Sequence, residues 1–226
     1  MASTRAPYWD KVTLDQLKKA KAFCGYPFFT SGDYNLNLFG IRTNEHTADT
    51  FNDVIGVAYK EKGEWKFEKW EATVDPGQYF LKHPMVKAGT AIIVPSHYVG
   101  AYRIGLHKGQ YEALRQCTLL KYFRDFNKDG YRDWGGKIYE ECGYTNIHRA
   151  SPTGTSTYIS SDHNAWSGGC LVHSSIKNFN RMMELARKAR AIWGDRFSFT
   201  LFNEKSFFCE KKEPYEEVYK GKYVGG

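Results

Sequence analysis

The chain contains no CxxC pair, no HxxxH or HExxH spacing, and no apolar run approaching eighteen uninterrupted residues. Its five cysteines (Cys24, Cys117, Cys142, Cys170 and Cys209) are scattered and odd in number. That pattern suggests neither a disulfide framework nor a thiolate zinc site, and suits a chain built under reducing conditions. Without a HExxH-type spacing a zinc peptidase is not expected, and the site is read as needing no metal and no cofactor. The missing apolar run excludes a membrane-spanning helix. Residues 1–21 carry charge and no apolar h-region, so no signal peptide is expected. Helix-turn-helix, RNP and zinc-finger patterns are also lacking, which sets nucleic acid last among partners. With no repeat, low-complexity stretch or linker, residues 1–226 are read as one globular domain.

What is present is a core and a charge. Hydrophobic residues make up 42% of the 226 positions, enough to bury a full interior. Aromatics make up 16%, which argues against disorder and for a strand-rich core with some rings left at the surface, where they can stack on sugars. The net charge of +7 favours an anionic partner such as a wall polymer, a membrane surface or nucleic acid.

Thr13 can cap a helix through Leu14, Leu17, Ala20 and Phe23 that stops at Gly25 and Pro27. Strand patterns follow at 34–41, 53–59, 65–73, 90–94, 98–104, 119–123, 146–149 and 197–202, with Lys62-Gly63-Glu64 as a hairpin tip. A short helix is predicted through Tyr111, Leu114 and Cys117. A longer one is predicted over 174–192, with Ser174 or Ser175 as cap and Ile176, Phe179, Met183 and Ala186 on its inner face. The fold class expected is α+β, with helices packed on a mostly antiparallel sheet system.

The chemistry concentrates at Cys170, in Trp166-Ser167-Gly168-Gly169-Cys170-Leu171-Val172, twenty-two positions after the histidine of Asn146-Ile147-His148-Arg149. Two glycines allow a tight backbone turn, and the amides of Gly169 and Cys170 can donate to a developing oxyanion. A cysteine shortly before a helix start is expected to have a lowered pKa. A buried structural cysteine on a turn, and a core histidine at His148, are the alternative readings of the same residues.

From about residue 70 to residue 183 the chain resembles the L,D-transpeptidase (YkuD-like) catalytic domain. The matching elements are Thr73-Val74-Asp75-Pro76-Gly77, Asn146-Ile147-His148, and Ser167-Gly168-Gly169-Cys170-Leu171-Val172 ahead of a helix. Gly168 stands where that family's motif has histidine, and the motif's arginine is also replaced. The resemblance implies a catalytic core at 70–203 with the helix and strands of 1–69 packed on it. It makes Cys170 the nucleophile, His148 its base, and Ser167 with Gly169 the scaffold of the oxyanion site. Its substrate would be the stem peptides of bacterial peptidoglycan, cleaved by hydrolysis or exchanged by transpeptidation. Joined to the absence of a leader, it suggests a phage lysin or a virion-associated wall-degrading protein, held in the host cytoplasm or virion and acting at the wall. The competing expectation is a non-catalytic virion or wall-binding protein that keeps the fold.

Supporting residues carry two readings each. Arg149 binds a substrate carboxylate or makes a surface ion pair. Trp166 is a substrate platform or a packed anchor. His163 or Asp162 orients His148, or His163 binds substrate, or both are solvated loop residues. Finally, Asp125-Phe126-Asn127-Lys128-Asp129-Gly130 copies the first half of a calcium loop, yet position twelve is Gly136 instead of Glu, and an Asx-type turn between strands is the preferred reading over calcium.

Overall fold

Thr13 behaves as its sequence context predicts: its Oγ1 accepts from the Gln16 N–H at 3.2 Å and opens α1 (Leu14–Cys24). Gly25 closes that helix in the left-handed region, at φ +75°. The computed structural model describes residues 5–45, 49–133, 135–157 and 166–212. After α1 come β1 (Asn37–Arg42), β2 (Asp53–Glu61), β3 (Glu64–Thr73), α2 (Gln78–Lys82), β4 (Thr90–Ile93), β5 (Ser96–His107), β6 (Tyr111–Gln116) and β7 (Leu120–Asp125). They are followed by β8 (Tyr139–Glu141), β9 (Ile147–Arg149), β10 (Leu171–His173), α3 (Ile176–Trp193), β11 (Phe197–Asn203) and α4 (Glu204–Phe207).

The architecture is α+β. Strands close into a barrel in the order β1-β11-β5-β6-β9-β10-β3-β2, and β4-β7-β8 form a separate antiparallel sheet. Pairing is mostly antiparallel, but β1 runs parallel to β11 and β9 parallel to β10. β1 and β2 sit between β11 and β3, so residues before 70 complete the barrel itself. The β2–β3 hairpin turns at Lys62 and Gly63, both left-handed (φ +54° and +79°), as a two-residue type I′ connection requires.

Period-two alternation divides the strands between two cores. Leu38, Ile55 and Val57 join Phe179, Met182 and Met183 of α3. Phe39, Ile41, Val54 and Ala58 point the other way, onto Leu17 and Ala20 of α1 and Phe207 of α4. Each helix therefore shields one face of the sheet from water.

The predicted helix at Tyr111, Leu114 and Cys117 is instead β6. Lys108 and Gly109 (φ +48° and +72°) form a second tight hairpin that returns the chain onto β5, pairing His107 with Tyr111 and Tyr102 with Gln116. An apolar spacing of three over so short a run does not decide between helix and strand, and the long β5 edge supplies the ladder that decides it. The predicted 174–192 helix begins at Ile176 with Ser175 as N-cap, while the Ser174 hydroxyl donates to Glu71 O.

Candidate active site

The three sequence segments that carry the resemblance lie side by side. β10 is flanked by β9, with Leu171 opposite Ile147 and Val172 opposite His148, and by the end of β3, with Val172 opposite Thr73. In a parallel pair, partners share a face, so His148 and Val172 face one way. Cys170 and Asn146, each two positions earlier on its chain, fall on that same face, and the Leu171 N–H donates to Asn146 O at 2.9 Å. The fold thus brings Cys170 and His148 to one surface of adjacent strands.

Ser167 braces the cysteine loop. It is fully buried, its Oγ lies 2.8 Å from Asp75 O and 2.7 Å from Cys170 O, and it accepts from the Gly169 N–H at 3.3 Å. From the other side, the Gly77 N–H donates to Ser167 O at 2.8 Å. Asp75 itself is held between two guanidinium groups: Arg42 Nε at 2.7 Å and Arg132. Arg42 is fully buried and also donates to Ile93 O. This chain of bonds ties the 73–77 turn, the cysteine loop and β1 together.

The glycines differ in what they do. Gly169 has φ +122°, and a Cβ there would stand 2.8 Å from Ala91 O, so no side chain fits. At Gly168 a Cβ would meet Met85 Cε and the Phe80 ring, so the segment 77–89 fills the space over the position where the family motif has histidine. Of the two amides expected to serve an oxyanion, Gly169 is committed to Ser167 Oγ, whereas the Cys170 N–H has no acceptor among the described residues.

His148 is buried, and its Nδ1–H donates to Arg149 O at 2.8 Å. That bond assigns the tautomer and leaves Nε2 as a lone pair, buried without a hydrogen-bond partner among the described residues. His107 stacks on it with ring centroids 4.1 Å apart. Asn146 orients His107 in turn: its Oδ1 accepts from the Gln116 N–H at 3.1 Å, so its Nδ2 donates to His107 Nδ1, also at 3.1 Å. Burial, with the neighbouring His107 as a second cause, pushes the His148 pKa down to about 3. Burial likewise lowers His107 to about 4. Both imidazoles are therefore neutral at pH 7.

The half-buried Cys170 packs with Trp166 against Phe51, Ala150 and Val172. Its thiol donates to Tyr144 O at 3.7 Å. Tyr144 is a non-glycine residue in the left-handed region, φ +57°, which turns that carbonyl toward the sulfur. The expected lowering of the Cys170 pKa is not found. Burial pushes the thiol up, opposed by the Asn146 backbone N–H and by the charge of Lys108. The physical reason is topological: β10 separates Cys170 from the Ser175 cap, and the field of a helix end fades beyond its first turn.

The remaining predicted residues separate. Trp166 packs beside Cys170, its buried Nε1 without a hydrogen-bond partner among the described residues. Arg149 alternates to the opposite face, where its guanidinium lies 4.1 Å from the Tyr111 ring centroid and lines a cavity of about 310 Å³ with Phe179, Met183 and Arg187. His163 and Asp162 lie outside the described residues. His107, Asn146 and Tyr144 join the site without having been picked from sequence. Asn146 was legible as the same-face neighbour of His148 at period two, whereas His107 arrives through the β5–β6 hairpin and left no local signal. Comparisons with protein-family models, curated proteins and solved structures find no match to this chain.

Proposed function

We propose that the chain is a cysteine-dependent acyl-transfer enzyme of L,D-transpeptidase-like fold, acting on the peptide stems of bacterial peptidoglycan. The observation that supports this reading is the register of β9 with β10, which sets Cys170 and His148 toward one face, with His148 Nε2 lacking a hydrogen-bond partner among the described residues. In the resting state both groups are neutral, so the thiol is deprotonated as it reacts. Cys170 Sγ attacks the peptide carbonyl carbon, its proton passes to His148 Nε2, and the oxyanion takes the Cys170 N–H. The tetrahedral intermediate collapses with rupture of the C–N bond, and His148 returns the proton to the departing amine. Water or an acceptor amine then attacks the thioester, losing its proton to His148 and restoring the thiol. Water gives hydrolysis and an amine gives exchange.

Several features suit a wall substrate. The net charge of +7 matches an anionic polymer, and exposed Phe126, Tyr131 and Tyr144 offer rings for stacking on sugars.

The test is mass analysis of muropeptides after purified peptidoglycan is incubated with the protein and with Cys170→Ser. New stem-peptide ends or altered cross-links are expected with the native chain and none with the variant. A folded Cys170→Ser protein that retains the activity rules the mechanism out. Unchanged muropeptides together with sedimentation of the native chain on walls replace it with a binding role.

A further inference from the structure

The cavity of about 310 Å³ lined by Arg149 sits between β6, β9 and the first turns of α3. Its floor is apolar: Phe179 and Met183 are buried, and the Tyr111 ring stands edge-on to Phe179 with centroids 6.1 Å apart. Charge around it does not balance. Arg187 and Glu112 on the rim neutralise each other, since Arg187 Nε and Nη2 both reach Glu112 Oε2 at 3.0 Å. Arg149 has no acidic partner among the described residues. The first turn of α3, which also lines the cavity, carries no acid either.

The guanidinium is held in place without being neutralised. It lies over the Tyr111 ring, 4.1 Å from the centroid, and its Nη1 donates to Ser151 O at 3.1 Å. A ring contact grips a guanidinium by its face and leaves its edge donors for a ligand. Nε and Nη2 have no acceptor among the described residues. An arginine ordered in this way has already lost the side-chain freedom that a ligand would otherwise have to remove.

We propose that this cavity binds a small monocarboxylate carrying one aromatic group, its carboxylate on the Arg149 guanidinium and its ring on Phe179 and Met183. Two N–H donors along one planar edge match the two oxygens of a carboxylate. A buried phenyl ring and a thioether form a bed on which an aromatic ring packs well. The volume lies at the lower end of ligand sites, about 300–1,000 Å³, and suits a molecule of amino-acid size better than a polymer segment. The site is distinct from the cysteine chemistry, because Arg149 alternates away from the face that His148 and Cys170 share. The two are joined through the backbone, where Arg149 O accepts from His148 Nδ1 at 2.8 Å and from the Tyr111 hydroxyl at 3.5 Å.

The test uses the full chain with isotope-labelled methionine methyl groups, titrated by NMR with hydrocinnamate and, separately, with its neutral amide. Saturable shifts of the Met183 methyl are expected with hydrocinnamate, at a Kd between about 0.1 and 1 mM. The amide should bind at least about tenfold more weakly, and so should hydrocinnamate to Arg149→Lys, which keeps the charge but loses the planar fork. Met85 reports on the other site, since it stands over Gly168 beside the cysteine, and its methyl should stay in place. Cys170→Ser should bind hydrocinnamate with unchanged Kd, so failure of the acyl-transfer reading leaves this result intact. Absence of any shift up to about 10 mM, ten times the weakest expected Kd, overturns the proposal. So does an amide that binds as tightly as the acid, which decides the matter on the native chain if Arg149→Lys does not fold. Native affinity in a folded Arg149→Lys, or a shift at Met85 in place of Met183, overturns it equally.

Discussion

His107 lies flat against His148 with ring centroids 4.1 Å apart, and the two imidazoles are kept neutral together. A proton on either ring would meet both a dry environment and a second ring already poor at accepting charge. The consequence for Cys170 is direct. In the proposed mechanism its proton passes to a neutral imidazole, because a resting thiolate–imidazolium pair would require His148 to ionise where burial opposes it.

Thiol labelling follows from that balance. At pH 7 the exposed Cys142 should be alkylated before the half-buried Cys170, whose thiol burial holds above its ordinary value of about 8.5. Cys170 labelling should accelerate as pH rises above about 8.5, and His148→Ala should slow it at neutral pH by removing the base. Mass spectrometry of iodoacetamide-treated peptides measures each rate. Cys170 reacting first at pH 7 would show that the thiolate is already formed.

Acid should unfold this protein through its histidines. His97, His148 and His173 are lowered by burial to about 3, and His107 to about 4. Below about pH 6.5 the unfolded chain binds protons that the folded chain refuses. Their contribution is fully present above that pH and is lost as pH falls toward about 4, by up to about 1.4 kcal/mol per pH unit for each histidine. Asp53 and Asp125, raised by burial, act in the opposite sense and offset part of the loss. Urea midpoints at pH 7 and pH 5 measure the sum. Equal stability at both would mean that the buried imidazoles titrate at ordinary values.

The brace around the 166–170 loop predicts a ranked set of stabilities. Ser167→Ala leaves the buried Gly169 N–H and Asp75 carbonyl without the hydroxyl and should cost about 1–3 kcal/mol. Arg42→Ala strips one partner from a buried ion pair and should cost about 3–5 kcal/mol. Gly169→Ala should be worse than Gly168→Ala, since the first drives a methyl against backbone at Ala91 and the second only displaces the flexible, exposed end of Met85. Denaturant titration orders the four variants. A Gly168→Ala protein less stable than Gly169→Ala would contradict this packing.

The local elements were legible in the sequence because their causes are local. Thr13 and Gly25 bracket α1 through a hydroxyl cap and a left-handed stop, and Lys62-Gly63 turns β2 into β3. The apolar face of α3 follows from its spacing alone. His148 and Cys170 were singled out by motif spacing, and the structure sets their segments on neighbouring strands. The geometric cause, a parallel register between two three-residue strands, was not legible, because strands this short carry no alternation to read.

Only the tertiary structure decided the rest. β6 became a strand because β5 offered it a ladder, and β1 closed the barrel against β11 from the far end of the chain. Sequence proximity suggested that a helix end would acidify Cys170. The fold instead interposed β10 and packed the sulfur among Phe51, Ala150, Val172 and Trp166. The residue types of the site are written along the chain. Their charge states are not, because desolvation and stacking depend on neighbours that folding brings from tens of residues away.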